Sequence, residues 1–317
     1  MTKLVVMIPC LNEQETLPLV LGSIPKKISG IDTIETMIID DGSTDATIQV
    51  AQKHNVTKII IHQKTRGLAK SFVDGLDAAL LMGADVIVNT DGDNQYPQGD
   101  IGKLVWPILN GRADIVIADR QTAKIAHFSP LKKLMQYIGS SVVCNLAGIY
   151  VPDAVSGFRA YSRAAAMELN VVTEFSYATE TIIQAGKIGL KVQSVPVITN
   201  PKTRESRLFK NMAQHIKMTG STMVRVFAMF EPLKTFFHLG TIFILIGTFF
   251  LARFGYFYLL GNGSGHLQSI VFGSIMFLAG FQIWVLGLVS DLIAGNRKLI
   301  EQVLLNQKRE KYAKFEK

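Results

Sequence analysis

A chain of 317 residues with two cysteines has room for one large α/β domain and an appendage, and it is no disulfide-framed mini-protein. Its 48% hydrophobic content exceeds what a soluble domain needs and directs attention to membrane segments. The formal charge of +8 is concentrated in residues 202–234 and 296–317, beside the most apolar stretches, while residues 1–201 are nearly neutral, which favours lipid head groups or a lipid phosphate over nucleic acid.

In chain order, the first predicted strand is LVVMIP at residues 4–9, too short for a signal-peptide core and followed by the polar loop PCLNEQE. A second strand, ETMIID, runs into DDGSTD. Ser43 or Asp45 there could cap a helix, but capping does not explain the adjacent acids Asp40 and Asp41. A carboxylate at this place can accept hydrogen bonds from the imide of a uracil or the edge of a guanine. KIIIHQ and ADVIVNT supply two further strands.

The second of these ends in DGDNQYP. In an extended chain Asp91 and Asp93 point the same way, and Gly92 between them lets backbone approach a ligand closely. Hard carboxylate oxygens suit Mg2+ or Mn2+, ions that bridge diphosphate oxygens. Next come ADIVIAD with the loop DRQTAK, an apolar helix containing Cys144, the segment DAVSGFR, and the strand LKVQSVPV. Strands alternating with helices predict an α/β fold with a mostly parallel sheet covered on both faces. Ligands of such sheets bind at the carboxyl ends of the strands, where the acidic loops gather. Cys10 and Cys144 suit reduced core thiols.

Residues 200–231 mix basic side chains with Leu208, Phe209, Met212, Ile216 and Met223, as expected of a helix lying on a membrane surface or of a packed connector. From about Phe236 to Leu260, and again from about Ile270 to Ile293, the chain is apolar for long enough to cross roughly 30 Å of hydrocarbon. The intervening GNGSGHLQ lacks Lys and Arg, whereas Lys234 precedes the pair and Arg297 and Lys298 follow it. The positive-inside rule then puts both flanks in the cytoplasm. Arg253 is expected to snorkel toward water. No histidine has metal-ligand spacing, and GNGSG between apolar helices is no dinucleotide fingerprint.

IPCLNEQETL, DDGSTD, TDGDNQYP and DAVSGFRAYSR together resemble the glycosyltransferase family 2 enzymes of the GT-A fold, a Rossmann-like sheet flanked by helices. The basic segment and apolar hairpin are similar to the polyprenyl-phosphate branch, which includes dolichyl-phosphate mannose synthase and bacterial undecaprenyl-phosphate glucosyltransferases. The resemblance implies a catalytic domain over 1–200, a juxtamembrane amphipathic segment over 201–233, a transmembrane hairpin over 234–295 and a basic cytoplasmic tail over 296–317. It makes Pro9, Leu11, Glu13 and Asp40 nucleoside contacts supported by Asp41. Asp91 and Gly92 would face the nucleotide sugar, with Asp91, Asp93 and Gln95 around Mg2+ or Mn2+. Arg120 would lie near the donor and acceptor phosphates, and Asp153, Ser156 and Arg159 would shape the acceptor side. Family members often show Arg-x-x-Gly-x-Ser-Lys after the last strand. Here the stretch reads PKTRESRLFK, which keeps basic groups at Arg204 and Arg207 without the glycine.

The implied reaction is inverting transfer of one sugar to a polyprenyl phosphate, with UDP-glucose favoured over GDP-mannose, by a homotetramer at the cytoplasmic membrane. A lipid phosphate with a second pKa of about 6 is largely dianionic near neutrality, so no strong base is needed, and Asp153 has a base-like or an orienting role. Two other readings stay open: a processive polysaccharide synthase, which usually carries Gln-x-x-Arg-Trp, and a catalytically silent nucleotide-sugar or lipid-binding partner.

Overall fold

The computed structural model describes residues 1–122, 130–171, 177–201 and 229–313. Arg204, Arg207 and nearly all of the expected amphipathic segment lie outside the described residues. The chain divides into two units, residues 1–219 with 304–317 and residues 220–303.

The first unit is built on a seven-stranded sheet of order β3-β2-β1-β4-β6-β5-β7. Its strands are β1 (Lys3–Cys10), β2 (Thr33–Asp40), β3 (Lys58–Ile61), β4 (Val86–Asn89), β5 (Ile115–Asp119), β6 (Arg159–Ser162) and β7 (Val192–Pro196). All six strands expected from apolar runs are present and pair in parallel with one another, β3-β2-β1-β4 and β5-β7. The unexpected β6 lies between β4 and β5, antiparallel to both.

Hydrophobic alternation explains how the sheet is covered. Leu4, Val6, Ile8 and Cys10 point to one face, where they pack with Leu17 and Val20 of α1 (Leu17–Ser23) and Ile101, Leu104 and Val105 of α4 (Ile101–Leu109). The opposite face takes α3 (Leu68–Leu81), whose buried residues Phe72, Gly75, Leu76, Ala79 and Leu80 recur at helical spacing. An added Cβ on Gly75 would lie 3.0 Å from Met7 Sδ, so α3 rests directly on β1. The remaining helices are α2 (Thr47–Lys53), α5 (Pro130–Ala147), α6 (Arg163–Glu168) and α7 (Tyr177–Ile188).

Register fixes the shape of the functional edge. Cys10 pairs with Asp40 and Asp40 with Ile61, so β1, β2 and β3 end side by side. By contrast, β4 stops at Asn89 opposite Met7. The loop leaving it therefore runs alongside Pro9 and Cys10 instead of projecting beyond them.

The second unit contains α8 (Pro232–Leu259) and most of α9 (Leu267–Ala313), both long and apolar enough to cross a membrane. At 1.5 Å per residue α9 is about 70 Å long, more than twice the roughly 30 Å hydrocarbon core; it continues without a break through much of the stretch expected as a basic tail. The helices meet along glycines seven residues apart. A Cβ on Gly240 would lie 2.7 Å from Gly280 O, one on Gly247 2.8 Å from Gly273 O, and one on Gly287 2.9 Å from Phe236 Cβ. Backbone-to-backbone approach of this kind replaces the hydrophobic drive that is missing in lipid. A Schellman motif closes α8: Gly261 adopts a φ of 80°, its N–H donates to Tyr258 O, and Asn262 N–H donates to Phe257 O. Arg253 is exposed, and its Nη1 donates to Ser269 Oγ at 3.0 Å, tying one helix to the other.

The end of α9 packs within the first unit. Tyr312 is buried, its carbonyl accepts from Arg163 Nη2 at 3.1 Å, and Lys308 Nζ donates to Leu169 O at 2.8 Å. Burial first, and then the nearby Asp77 charge, raises the Tyr312 phenol above its ordinary range.

Candidate functional site

Residues leaving β1 are joined to the loop after β2 by hydrogen bonds. Asn12, in a left-handed conformation at φ 55°, donates its N–H to Ser43 Oγ and accepts Thr44 N–H on Oδ1, both at 2.8 Å. Glu13 N–H donates to Thr47 Oγ1 at 2.8 Å. The polar residues of DDGSTD thus hold the first loop, and Asp45 Oδ1 also accepts the Thr47 N–H at 3.0 Å at the start of α2, as a cap does. Pro9 is buried in β1, Leu11 is exposed and Glu13 is buried.

The adjacent acids behave differently. Asp41 is spent on architecture: Oδ1 accepts from His62 Nδ1 and Arg66 N–H, each at 2.8 Å, and Oδ2 accepts from Gly67 N–H at 2.9 Å. It fastens the loop after β3. Asp40 accepts Ser43 N–H on Oδ2 at 3.0 Å, while its buried Oδ1 has no hydrogen-bond partner. Cys10 reports the local field. Burial, followed by the charges of Glu13, Asp40, Asp91 and Asp45, pushes its thiol well above the usual range.

The Asp91-Gly92-Asp93 segment is a turn, not extended chain, so the i, i+2 argument does not describe it. Gly92 has another reason than ligand approach: its Cβ would fall 2.9 Å from Cys10 Sγ and 3.3 Å from Glu13 Cγ. The turn presses on the first loop, and Thr16 Oγ1 lies 2.8 Å from both Glu13 Oε2 and Gly92 O. Asp93 Oδ1 accepts Gln95 N–H at 3.1 Å. The Asp91 carboxylate points toward the SGFR segment, for a Cβ on Gly157 would lie 3.0 Å from Asp91 Oδ2 and 3.1 Å from Tyr177 Oη. Asp91, Asp93 and Gln95 are all part-exposed.

Gly157 is itself pinned on both sides. Its N–H donates to Tyr96 Oη at 3.0 Å and its carbonyl accepts from Asn89 Nδ2 at 2.8 Å. Tyr96, Asn89 and Tyr177 were given no role by sequence reasoning. Tyr96 stands inside a quoted motif, but nothing in the pattern of Asn89 or Tyr177 distinguishes them from ordinary core residues. Burial raises both phenols above their ordinary values, with Asp91 adding to the rise.

Arg120 and Asp153 form a bidentate ion pair, Nε to Oδ2 at 2.6 Å and Nη2 to Oδ1 at 2.9 Å. Burial works against the guanidinium charge, yet Tyr96, Asp153 and Asp91 together raise its pKa. Asp153 is therefore engaged by Arg120, which fits orienting and not proton abstraction. Arg159 is a correction. It is completely buried, and Nε donates to Ser156 O, Nη1 to Ala178 O and Thr181 Oγ1, and Nη2 to Ala154 O, at 2.7–2.9 Å. With its donors turned inward, it shapes the turn containing Ser156 instead of meeting an acceptor phosphate.

Residues 5–169 match the family model described as Glycosyl transferase family 2. The UDP-N-acetylglucosamine–dolichyl-phosphate N-acetylglucosaminyltransferase of Methanococcus voltae is 30% identical over 216 residues, covering 61% of this chain and 83% of that protein. The undecaprenyl-phosphate mannosyltransferase of Micrococcus luteus is 25% identical over 207 residues, covering 62% and 82%. Glucosyl-3-phosphoglycerate synthase from Mycobacterium tuberculosis, solved with Mn2+, UDP and glucosyl-3-phosphoglycerate, shares the fold at a TM-score of 0.53 and 20% identity, over 72% of this chain and 79% of that one. The family match runs from β1 through α6 and takes in both acidic loops and the SGFR turn: the chain belongs to glycosyltransferase family 2.

Proposed function

We propose that this chain transfers a single sugar, with inversion, from a nucleotide sugar to the phosphate of a polyprenyl monophosphate at the cytoplasmic face of a membrane. The observation that carries this reading is the part-exposed Asp91-Gly92-Asp93 turn packed between the first loop and the SGFR turn, in a chain that also holds two helices of membrane-crossing length. The relatives from Methanococcus voltae and Micrococcus luteus, named for dolichyl and undecaprenyl phosphate, support the acceptor class.

UDP-glucose is the favoured donor and GDP-mannose the alternative. Pro9, Leu11, Glu13 and Asp40 would contact the nucleoside, with Asp41 as their support.

The donor set fits a hard divalent cation. Asp91, Asp93 and Gln95 bring oxygen ligands on one turn, and among the described residues no cluster of three His, Cys, Asp or Glu side chains could enclose a metal. Such a sparse set suits an ion that keeps water and substrate phosphate as its other ligands. Mg2+ or Mn2+ held there would supply positive charge against the departing diphosphate.

An oxygen of the dianionic lipid phosphate forms a bond to the anomeric carbon as the bond from that carbon to the nucleoside diphosphate breaks. The bonding electron pair leaves with the diphosphate, and no proton need be removed from the acceptor. Arg120, held rigid by Asp153, contributes fixed positive charge beside the reacting groups. Ser156, Arg204 and Arg207 are the proposed acceptor-side residues. The proposed organisation is a catalytic domain over 1–200, a surface segment over 201–233, a hairpin over 234–295 with both flanks cytoplasmic, a basic tail over 296–317 and a homotetrameric assembly.

Asp93→Ala should lower transfer to polyprenyl phosphate in the presence of Mg2+ or Mn2+ by about a hundredfold or more. Near wild-type turnover would remove Asp93 from the metal site.

A further inference from the structure

Beyond β7 the chain returns across the site. Val197 N–H donates to Asp119 O at 2.9 Å, and three residues on Asn200 lies against the segment that follows the acidic turn. Its N–H donates to Gln95 O at 2.9 Å. The side-chain amide Nδ2 donates to Asn94 O at 3.0 Å, with Asn94 Oδ1 and Tyr96 O each at 3.4 Å.

The acceptors belong to a backbone that needs help to hold its form. Asn94 adopts a left-handed φ of 57°, which asparagine tolerates better than other residues with a Cβ but which still needs contacts to hold it against the commoner right-handed form. Its neighbours are functional on both sides: Gln95 N–H caps Asp93 Oδ1 at 3.1 Å, and Tyr96 Oη receives the Gly157 N–H. The carbonyls of Asn94, Gln95 and Tyr96 all lie near Asn200, and like-oriented carbonyl dipoles repel unless donors stand between them. Asn200 contributes a backbone N–H and a two-proton amide. Tyr96 O has a further donor in Gln98 Nε2 at 3.0 Å, so the side chain of Asn200 matters most at Asn94 O.

We propose that Asn200 is a positioning residue for the site, its side-chain amide holding the Asp93-Asn94-Gln95 turn in the shape that presents Asp93 and Gln95 to a metal-bound diphosphate. This rests on the nucleotide-sugar reading above. Asn200 also stands next to the basic stretch that contains Arg204 and Arg207, so the same contact joins the donor-side turn to the chain entering the proposed acceptor side.

Asn200→Asp is the sharp test, because it keeps size and the backbone N–H while replacing a donor by a repelled acceptor. Asn200→Ser retains one donor. Binding of UDP and of GDP with Mn2+ would be measured by calorimetry on the full chain in detergent, with thermal melting recorded for each variant. The expected result is a loss of nucleotide affinity of about tenfold for Asn200→Asp and a smaller loss for Asn200→Ser, with melting temperatures close to wild type. Wild-type affinity in Asn200→Asp would overturn the assignment, as would affinity losses in both variants that merely track falling melting temperatures. Absence of nucleotide binding by the wild-type protein itself would instead sink the nucleotide-sugar reading, and this inference with it.

Discussion

Gly157 shows how narrowly the site is drawn at single residues. Gly157→Ala would drive a methyl group to about 3 Å from the Asp91 carboxylate and the Tyr177 hydroxyl, closer than such groups sit without moving. Nucleoside diphosphate binding should fall by about tenfold or more, measured by calorimetry, with a smaller loss of melting temperature because Gly157 and Tyr177 are buried. Arg159→Met should do the reverse. It removes the guanidinium donors of Ser156 O and Ala154 O, at about 1–3 kcal/mol for each buried group left unpaired, while Ala178 O keeps Thr181 Oγ1, so denaturant unfolding should detect a large loss of stability. Cys10 supplies a pH prediction. Its thiol is raised, so the folded state disfavours the thiolate; the associated stability is complete below the unfolded thiol value of about 8.5 and declines as pH climbs past it. At pH 8.5 iodoacetamide should therefore label Cys10 far more slowly in the native protein than in urea, as counted by mass spectrometry. The acidic loops at the strand ends were legible in the sequence, but the structural part that Asp41 plays through His62, Arg66 and Gly67 was not. Nor were the groups that aim the acids: Asn89, Tyr96, Tyr177 and Asn200 act through contacts spanning up to about a hundred residues, which no local pattern records. Arg159 was misread for a related reason, since a motif shows that an arginine stands there and not which way its donors point.

At the level of elements, the six parallel strands could be read because each is an apolar run of strand length, although only β1, β4 and β5 are buried along most of their length, while β3 and β7 keep exposed positions. The antiparallel β6 could not. RAYS is four residues long, starts on an arginine and shows no clear alternation, and it is a strand because β4 and β5 leave a gap that its backbone fills. Helix contacts give a separate expectation. On α7, a Cβ at Gly186 would lie 1.9 Å from Ala147 O at the end of α5, so Gly186→Ala should destabilise the first unit by about 3 kcal/mol, visible in chemical unfolding. The hairpin was legible as two apolar lengths, but its seam was not singled out. Gly240, Gly247, Gly273, Gly280 and Gly287 read as scattered glycines until their shared seven-residue period is set beside the pairing.

For the whole molecule, the division into units places residues 220–303 between two parts of the first unit. By chain connectivity the hairpin is consequently joined to the first unit at both of its ends. A single engineered protease cut inside 202–228 should leave both fragments co-eluting in detergent. Tyr312→Ala, which empties a buried aromatic position worth about 3–5 kcal/mol, should release them. That double tether was invisible to sequence reasoning, because the basic composition of 296–317 looks the same whether the segment is solvated or docked. It also bears on biosynthesis. A ribosome emits Tyr312 only after α8 and the apolar part of α9, so the slot on α3 and α6 waits unfilled until both long helices have been made, and the first unit is completed last by the end of its own chain.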